Sequence, residues 1–326
     1  MHEQIIIVTG AAGFIGSAVV RQLNDLGFHR LLLVDDIEKT DKWKNLLGKK
    51  FENFISKHAL FDWLKDHIRE VGGIIHLGAC SDTLETDGDY LMENNFRYTQ
   101  RLAKLAVGHE IRFVYASSAA TYGDGTLGFS DDPDLLQRLQ PLNLYAFSKH
   151  FFDLWVLQQG LLDQIVGLKY FNVFGPNEHH KGHMASMVYK MWPKVENEGC
   201  VYLFKSSDKR YGDGEQCRDF LYVKDAAKMT VDFLFKSDIN GIFNIGSGMA
   251  TTWNQLAKAL FKALGRDERI EYIPMPEGLE KQYQNYTCAD MSRYLTVHGM
   301  QTLSLHPIEG AVEDYIQNHL AGSRSW

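Results

Sequence analysis

Three side chains in the middle of the chain have the types and the spacing that proton transfer requires. Tyr145 and Lys149 stand four residues apart, so on a helix they would share one face. Ser118 lies upstream, at the end of an apolar stretch, where its hydroxyl could hydrogen-bond a reacting oxygen. A free tyrosine has a pKa of about 10, and a neighbouring ammonium favours the phenolate. The three residues therefore predict an acid/base site in which Tyr145 moves a proton near neutral pH.

A glycine-rich segment near the first residue predicts a dinucleotide site, with a purely structural turn as the alternative. Gly10, Gly13 and Gly16 follow the apolar run Ile5–Val8 and open a predicted helix. They permit a tight turn, a close backbone approach to a pyrophosphate and close helix packing. The helix N-terminus would offer N–H groups and a positive dipole to the phosphates. The expected contacts come from Gly10, Ala11, Gly13, Phe14, Ile15 and Gly16. A nicotinamide beside Tyr145 would make the chain a redox enzyme.

Charged residues after the second predicted strand bear on which dinucleotide binds. Asp35 could accept hydrogen bonds from the ribose hydroxyls, which favours NAD. Lys39, Lys42 and Lys57 could hold a 2′-phosphate instead, although each could equally be a surface charge. These residues alone leave NAD and NADP open.

Alternating strands and helices predict how the candidate residues are positioned. Buried strands at Ile5–Val8, Arg30–Val34, Gly73–Leu77 and Arg112–Ala116 are separated by helical stretches. This order predicts an α/β fold with a doubly wound parallel sheet of the Rossmann type and a smaller mixed α/β substrate lobe. The expected division is 1–175 with about 219–246 for the dinucleotide domain, and about 176–218 with 247–326 for the substrate lobe. The strand at 241–246 is expected to rejoin the main sheet.

Composition excludes several classes of partner. The net charge is −7 over 326 residues, which gives no reason to expect nucleic acid or anionic lipid. No apolar run reaches the length of about 18 residues that a membrane span needs, and the N-terminus does not read as a signal peptide. Four widely spaced cysteines form no CxxC pair, which favours reduced thiols and a cytoplasmic protein. His179, His180 and His183 lack a carboxylate or cysteine cluster, so no metal site is expected.

Several longer segments resemble the extended short-chain dehydrogenase/reductases that act on nucleotide sugars. These segments are Thr9–Gly16, His76–Ala79, Asn94–Asn95, Tyr115–Gly123, Tyr145–Lys149, Tyr170–Pro176 and Arg218–Val223. The resemblance implies that Lys149 reaches the nicotinamide ribose and that further cofactor contacts come from Leu77, Gly78, Ala79, Cys80, Asn95 and Val173. It also implies that Asn172 and Arg218 hold the substrate's diphosphate, which suits an arginine fork. A salt bridge to a surface acid is the alternative for Arg218.

Three branches of these nucleotide-sugar enzymes compete. The 4,6-dehydratases carry an Asp-Glu pair where this chain has Ala119-Ala120, so dehydration is not expected. The hexose 4-epimerases remain an alternative, as do a reductase and a catalytically silent dinucleotide-binding regulator. The third branch fits best, because Tyr115–Gly123, His180–Ser186 and Tyr283–Thr287 closely resemble the ADP-L-glycero-D-manno-heptose 6-epimerases.

This closer resemblance implies a reaction, a cofactor and an assembly. The reaction is epimerisation of ADP-D-glycero-D-manno-heptose at C6 through a 6-keto intermediate, for the inner core of lipopolysaccharide. The cofactor is tightly bound NADP, with NAD as the alternative, and Lys42 and Lys57 match the phosphate-side lysines of the family. Members are cytoplasmic homo-oligomers, commonly pentamers.

Lys181 matches the second acid/base candidate of that family and is also expected to contact the cofactor. Hydride leaves one face of C6 and returns to the other, so one fixed base does not obviously serve both epimers. Burial or a nearby positive charge would have to lower the pKa of Lys181. A lysine that only binds substrate or cofactor is the alternative.

The substrate contacts that the resemblance implies include positions where this chain departs from its relatives. The expected contacts are Ser118, Asn172, His183, Lys190, Phe204, Lys205, Ser206, Ser207, Arg218 and Tyr283. His183 stands where serine is usual, and Lys190 where histidine is common. Asp36, a further expected cofactor contact, replaces a usual asparagine, and a second carboxylate there weakens the case for a 2′-phosphate.

Overall fold

A seven-stranded parallel sheet forms the centre of the computed structural model, which describes residues 3–276 and 283–326. The strands of the described residues are β1 Ile5–Thr9, β2 Leu31–Val34, β3 Asn53–Ile55, β4 Val71–His76, β5 Arg112–Ser118, β6 Val166–Tyr170, β7 Asn172–Phe174, β8 Val201–Phe204, β9 Cys217–Tyr222, β10 Gly241–Ile245, β11 Ala250–Thr252 and β12 Ile270–Ile273. The main sheet has the order β10-β6-β5-β4-β1-β2-β3. This is the predicted doubly wound arrangement, and β10 rejoins the sheet beside β6 as expected.

Helices cover both faces of this sheet, because its strands are apolar on both sides. The helices of the described residues are α1 Phe14–Asp25, α2 Leu60–His67, α3 Gly88–Leu91, α4 Tyr98–Gly108, α5 Leu144–Gln158, α6 Met187–Glu198, α7 Val223–Phe235, α8 Trp253–Ala263, α9 Ser292–Val297 and α10 Ile308–Asp314. One core cluster joins the sheet to α1 and α7. A second joins its opposite face to α2, α4 and α5. All five residues of β1 are buried, as the apolar run predicts.

A smaller mixed α/β lobe has its own core, which confirms the predicted fold class. Its three-stranded sheet has the order β11-β9-β7, and β12 pairs with β8 in a separate ribbon. Apolar residues of α6, α8 and α10 pack on these strands. Tyr294 of α9 instead packs against Phe233 of α7, with ring centroids 5.7 Å apart. The lobe division given above stays a proposal, and 277–282 within its second lobe lie outside the described residues.

A π-helical turn interrupts the helical stretch that precedes β5. Residues Met92–Arg97 form this turn between α3 and α4. π-turns inside helices occur frequently at functional sites. Here the turn carries Asn95, whose buried side chain accepts from Cys80 N and donates to Cys80 O, both at 2.9 Å.

Candidate active site

The glycine-rich loop crosses the end of β4 at close range. Gly10 has a φ of +67°, and a Cβ there would lie 2.7 Å from Gly78 N. A Cβ on Gly16 would lie 2.0 Å from Gly10 O, so α1 can approach the loop only with glycine at that position. Gly13 precedes α1, and within the described residues no side chain caps this helix. The N–H groups of its first turn therefore face the loop, as a bound pyrophosphate requires.

Two carboxylates after β2 are each paired with a lysine. Asp35 Oδ2 accepts from Ala12 N at 2.9 Å, and its Oδ1 accepts from Lys42 Nζ at 3.0 Å. Asp36 Oδ2 lies 3.7 Å from Lys57 Nζ. Lys57 Nζ also donates to Asn94 Oδ1 at 3.1 Å. Lys42 and Lys57, two of the three lysines that could hold a 2′-phosphate, therefore lie beside carboxylates that suit free ribose hydroxyls.

The end of β5 and the first turns of α5 bring the predicted acid/base residues together. Asn143 caps α5 by accepting from Ala146 N at 2.8 Å, which places Tyr145 in the first turn and Lys149 one turn later. The Ser118 side chain lies near enough to Tyr145 to act on its pKa. Lys149 Nζ donates to Ala116 O at 2.9 Å. Sequence spacing therefore identified three side chains that do share one wall of a cleft.

Burial governs the pKa values of these two groups. It raises the pKa of Tyr145, and the nearby Ser118 side chain opposes this only partly. We expected the Lys149 ammonium to lower the pKa of Tyr145. When only the groups of the protein are considered, this expectation is wrong, because Lys149 Nζ donates to Ala116 O. Burial also lowers the pKa of Lys149 to about 8, against the opposing effects of Asp153 and Cys80. The positive charge of an oxidised nicotinamide beside Tyr145 would favour the phenolate.

A buried ion pair, which sequence reasoning missed, supports this wall from behind. Lys169 Nζ donates to Asp153 Oδ2 at 2.8 Å and to Thr121 Oγ1 at 2.6 Å. Thr121 Oγ1 in turn donates to Ser118 O at 2.7 Å. Asp153 lies on α5 one turn after Lys149. The sequence feature that could have indicated this ion pair is a lysine inside the otherwise apolar strand Val166–Tyr170.

Lys181 also lines the cleft and lies on a short 3-10 segment, His179–Met184. Its Nζ donates to Ser81 Oγ at 2.6 Å. Burial lowers its pKa, as the acid/base prediction requires, while Glu178 opposes the shift. His183 Nε2 lies 3.1 Å from Asp82 Oδ1, and Lys190 Nζ donates to His183 O at 2.6 Å. His183 and Lys190, the two positions at which the sequence departs from the heptose epimerases, are therefore in direct contact.

A buried asparagine ties this segment to the dinucleotide loop. Asn45 Nδ2 donates to Ala12 O and to Asn177 O, both at 3.0 Å. Asn177 has a φ of +78° and accepts from Trp326 N at 2.9 Å. No motif in the sequence singled out Asn45. These contacts of Asn45 fix the position of the glycine-rich loop relative to the segment that carries Lys181.

The cleft has a volume of about 750 Å³, within the range of ligand pockets. The predicted residues that line it are Gly10, Gly13, Phe14, Ile15, Gly16, Asp35, Lys42, Leu77, Gly78, Ala79, Cys80, Ser118, Tyr145, Lys149, Asn172, Val173, Lys181 and His183. Asp36 and Lys57 line an adjoining cavity of about 220 Å³. Ala11 and Asn95 are buried behind these walls. Ser81, Asp82, Gln284 and Thr287 also line the cleft and were not predicted.

The remaining predicted substrate residues lie in the smaller lobe. The Arg218 guanidinium lies 4.9 Å from the Tyr283 ring centroid and 5.7 Å from that of Trp253. Trp253 Nε1 donates to Tyr283 Oη at 2.9 Å, and Phe204 packs edge-on against Tyr283. Burial lowers the pKa of Arg218, while Tyr283 opposes the shift. Lys205, Ser206 and Ser207 follow β8 directly. Among the described residues, Arg218 is thus buried and held among aromatic rings rather than paired with a surface acid.

The lengths of the described helices and the placement of the described metal-ligating side chains bear on partners. Across 3–276 and 283–326, every helix is too short or too polar to cross a membrane. The same residues contain no group of three or more histidine, cysteine or acidic side chains placed to hold a metal ion.

Comparisons with known proteins agree with this geometry. Residues 6–246 match the NAD dependent epimerase/dehydratase family. The chain is 45% identical to the ADP-L-glycero-D-manno-heptose-6-epimerase of Nitratidesulfovibrio vulgaris, covering 97% of this chain and 98% of that protein. It is 44% identical to the enzyme of the same name from Fusobacterium nucleatum, covering 99% and 100%. The crystal structure of Helicobacter pylori ADP-L-glycero-D-manno-heptose-6-epimerase superposes with a TM-score of 0.81 at 27% identity, covering 97% and 96%.

Proposed function

Because the chain belongs to the NAD dependent epimerase/dehydratase family, and within it groups with the ADP-L-glycero-D-manno-heptose-6-epimerases, we propose that it interconverts the C6 epimers of ADP-heptose. The substrate is ADP-D-glycero-D-manno-heptose, and the product, ADP-L-glycero-D-manno-heptose, serves the lipopolysaccharide inner core. The observation that carries the proposal is a cleft lined both by Tyr145 and by Lys181. An epimerase that inverts one carbon needs acid/base groups for both orientations of its hydroxyl.

The residues around the glycine-rich loop fit a nicotinamide dinucleotide. Gly16 lets α1 pack closely against the loop, because a Cβ there would lie 2.0 Å from Gly10 O, and the start of α1 carries no side-chain cap among the described residues. When bound, the nicotinamide supplies hydride transfer at C6 in both directions, so no net redox change occurs. We propose NADP, with NAD as the alternative. Lys42 and Lys57 support NADP, whereas Asp35 and Asp36 support NAD.

Tyr145 and Lys181 divide the proton transfers. One of them accepts the proton of the C6 hydroxyl as the alcohol becomes a ketone, and the other protonates the oxygen after the 6-keto sugar has turned. Ser118 acts to lower the pKa of Tyr145 against the effect of burial, and its hydroxyl can bond the reacting oxygen. A lowered pKa suits Lys181 as a base, because more of its amine is neutral near physiological pH.

The smaller lobe holds the nucleotide end of the substrate. Arg218 and Asn172 would bind the diphosphate, since a guanidinium fork matches phosphate oxygens. The rings of Tyr283 and Trp253 fix the Arg218 side chain before substrate arrives. Phe204 to Ser207 would complete this end of the site, and His183 and Lys190 would approach the sugar.

The assembly and compartment are part of the same proposal. A homo-oligomer, with a pentamer as the form that the resemblance implies, would cover the exposed apolar side chains Leu144, Phe147 and Phe151 along one side of α5. Light scattering of wild-type protein and a Phe147→Glu variant tests this. The four cysteines are all free, which supports a reducing compartment such as the cytoplasm.

Incubation with ADP-D-glycero-D-manno-heptose, without added cofactor, tests the reaction. We expect NMR of the C6 proton to show conversion to the L-glycero epimer with no net change in nicotinamide absorbance. UDP-glucose, a hexose substrate, serves as the control and should remain unchanged. Conversion of the hexose but not the heptose, even with NADP⁺ or NAD⁺ added, would replace the proposal with a hexose epimerase.

A further inference from the structure

Two loops meet residue by residue along one wall of the cleft. The first follows β4, and the second is the segment that carries Lys181. Three side-chain pairs join them: Ser81 with Lys181, Asp82 with His183, and Thr83 with Met184. The shortest is the Ser81–Lys181 pair at 2.6 Å, and it joins residues 100 positions apart in the chain. All six residues line the cleft that also contains Tyr145.

Ser81 sits on backbone that is itself held in place. The preceding residue, Cys80, has both its N–H and its carbonyl bonded by the buried Asn95 side chain, each at 2.9 Å. Asn95 Nδ2 also donates to Ser148 Oγ at 3.0 Å, which connects this loop to α5 between Tyr145 and Lys149. The Ser81 hydroxyl is therefore positioned relative to the helix that carries the other acid/base group.

We propose that Ser81 is a positioning residue for Lys181: its hydroxyl accepts a hydrogen bond from the Lys181 amine and holds that amine in place for proton transfer with the C6 oxygen. The inference rests on the proposed function, in which Lys181 is the second acid/base. A lysine amine lies at the end of a flexible four-carbon stem with three rotatable donors. A fixed acceptor removes much of that freedom before substrate binds, and such prior ordering lowers the barrier to reaction.

Ser81 should also affect the protonation of Lys181. A hydrogen bond to the ammonium favours the charged form. Its removal should therefore lower the pKa of Lys181 below the value that burial already sets. The other titratable groups that face Lys181 come from its own segment, from the loop after β4 and from the segment after β2: Glu178, His180, Cys80, Asp82 and Lys42.

Labelling of the Lys181 amine at a series of pH values decides the question without any turnover. Wild type, Ser81→Ala and Ser81→Thr would each react briefly with acetic anhydride, and mass spectrometry would follow the Lys181 peptide. We expect the midpoint of the labelling curve to fall by about half a pH unit in Ser81→Ala and to return towards wild type in Ser81→Thr, which keeps the hydroxyl. Ser130→Ala, a serine outside the cleft, is the matched control. An unchanged midpoint in Ser81→Ala overturns the inference.

Kinetics with ADP-heptose supply the second measurement. We expect Ser81→Ala to lower kcat about tenfold with KM changed less than about threefold, because the defect lies in orientation of the amine. Ser81→Thr should recover most of kcat, and full kcat in Ser81→Ala would overturn the positioning role. If the labelling midpoint shifts but wild-type protein converts no ADP-heptose, the proposed function fails while the Ser81–Lys181 coupling stands.

Discussion

Lys169 Nζ lies 2.8 Å from Asp153 Oδ2, and both side chains are fully buried behind the strand end that carries Ser118. The remaining bonds of the carboxylate come from Tyr115 Oη at 2.9 Å and Ser117 Oγ at 2.7 Å. A buried ion pair of this kind is costly to desolvate and contributes stability only when its hydrogen bonds are satisfied. Here residues of β5 satisfy the hydrogen bonds of the carboxylate. The ion pair therefore fixes the position of the cleft wall that carries Ser118.

Lys169→Met should therefore destabilise the protein strongly. The variant leaves Asp153 buried without its cation, and breaking such a pair typically costs about 3–5 kcal/mol. Urea unfolding would measure the loss. The double variant Lys169→Met with Asp153→Leu should lose clearly less than the sum of the two single variants, because it leaves no uncompensated charge. Additive losses would contradict a coupled pair.

Tyr145→Phe should abolish epimerisation while leaving the fold intact. The substitution removes only a hydroxyl, and general acid/base catalysis typically contributes about 10²–10⁴-fold. Circular dichroism and the heptose NMR assay would measure the two properties. Tyr222→Phe is the matched control, because its hydroxyl bonds Asp314 in the smaller lobe. That control should keep its activity at reduced stability, and a folded Tyr145→Phe protein with wild-type turnover would falsify the scheme.

His76 should make the protein sensitive to acid. It lies at the end of β4, between Thr9 Oγ1 at 2.6 Å and Thr99 Oγ1 at 2.9 Å, and burial lowers its pKa to about 3. An unfolded chain would bind this proton near pH 6.5, whereas the folded chain resists it until about pH 3. Stability contributed by neutral His76 is thus present above pH 6.5 and is lost as the pH falls towards 3.

The loss from His76 should reach about 4 kcal/mol at the acid end of this range. Unfolding measured at several pH values would show it as a slope. His76→Asn keeps a hydrogen-bonding side chain without the titration, so its slope should be shallower between pH 6.5 and 3. Equal slopes in the two proteins would assign the acid sensitivity to carboxylates instead.

Asn45→Ala should weaken cofactor binding without removing any predicted contact to the cofactor. Asn45 bonds Ala12 O and Asn177 O, and each lost hydrogen bond typically costs about 0.5–1.5 kcal/mol. We expect dinucleotide affinity to fall about tenfold in isothermal titration. Asn24→Ala is the control, since Asn24 also makes two bonds to carbonyl groups but lies away from the cleft. Equal losses of affinity in both variants would indicate a general effect on stability.

Asp36→Asn should shift cofactor preference towards NADP. The change removes a negative charge beside Lys57, which leaves that ammonium available to a 2′-phosphate. We expect the ratio of NADP to NAD affinity to rise about tenfold, which corresponds to about 1.4 kcal/mol. Asp62→Asn, an exposed carboxylate paired with Lys65 on α2, should leave the ratio unchanged. A ratio unaffected by Asp36→Asn would show that the second carboxylate does not select the cofactor.

Local patterns predicted the parts of the site that depend on neighbours in the chain. The glycine spacing after an apolar strand indicated the dinucleotide loop, and the four-residue step from Tyr145 to Lys149 indicated a shared helix face. Both are properties of a single turn or helix, so the sequence contains them directly. The same holds for the parallel sheet, since alternating strands and helices allow few other topologies.

Contacts between distant segments could not be predicted in this way. Ser81 and Lys181 are 100 residues apart, and Asn45 and Asn177 are 132 residues apart. The sequence around one of these residues does not indicate which distant residue it will contact. The raised pKa of Tyr145 has the same origin, because burial depends on how α5 packs rather than on its sequence spacing. Tertiary packing decided these features.

The bond between Asn45 and Asn177 also bears on when the protein becomes competent during synthesis. A chain growing on the ribosome completes β1 to β5 long before residue 177 emerges. Its first strands can pair early, but contacts across such a separation form late, because a long loop must first close. We therefore expect the nascent N-terminal half to fold with an unfinished dinucleotide loop. The protein would then bind its cofactor tightly only in the last stages of folding, so the cofactor would not direct the first stages.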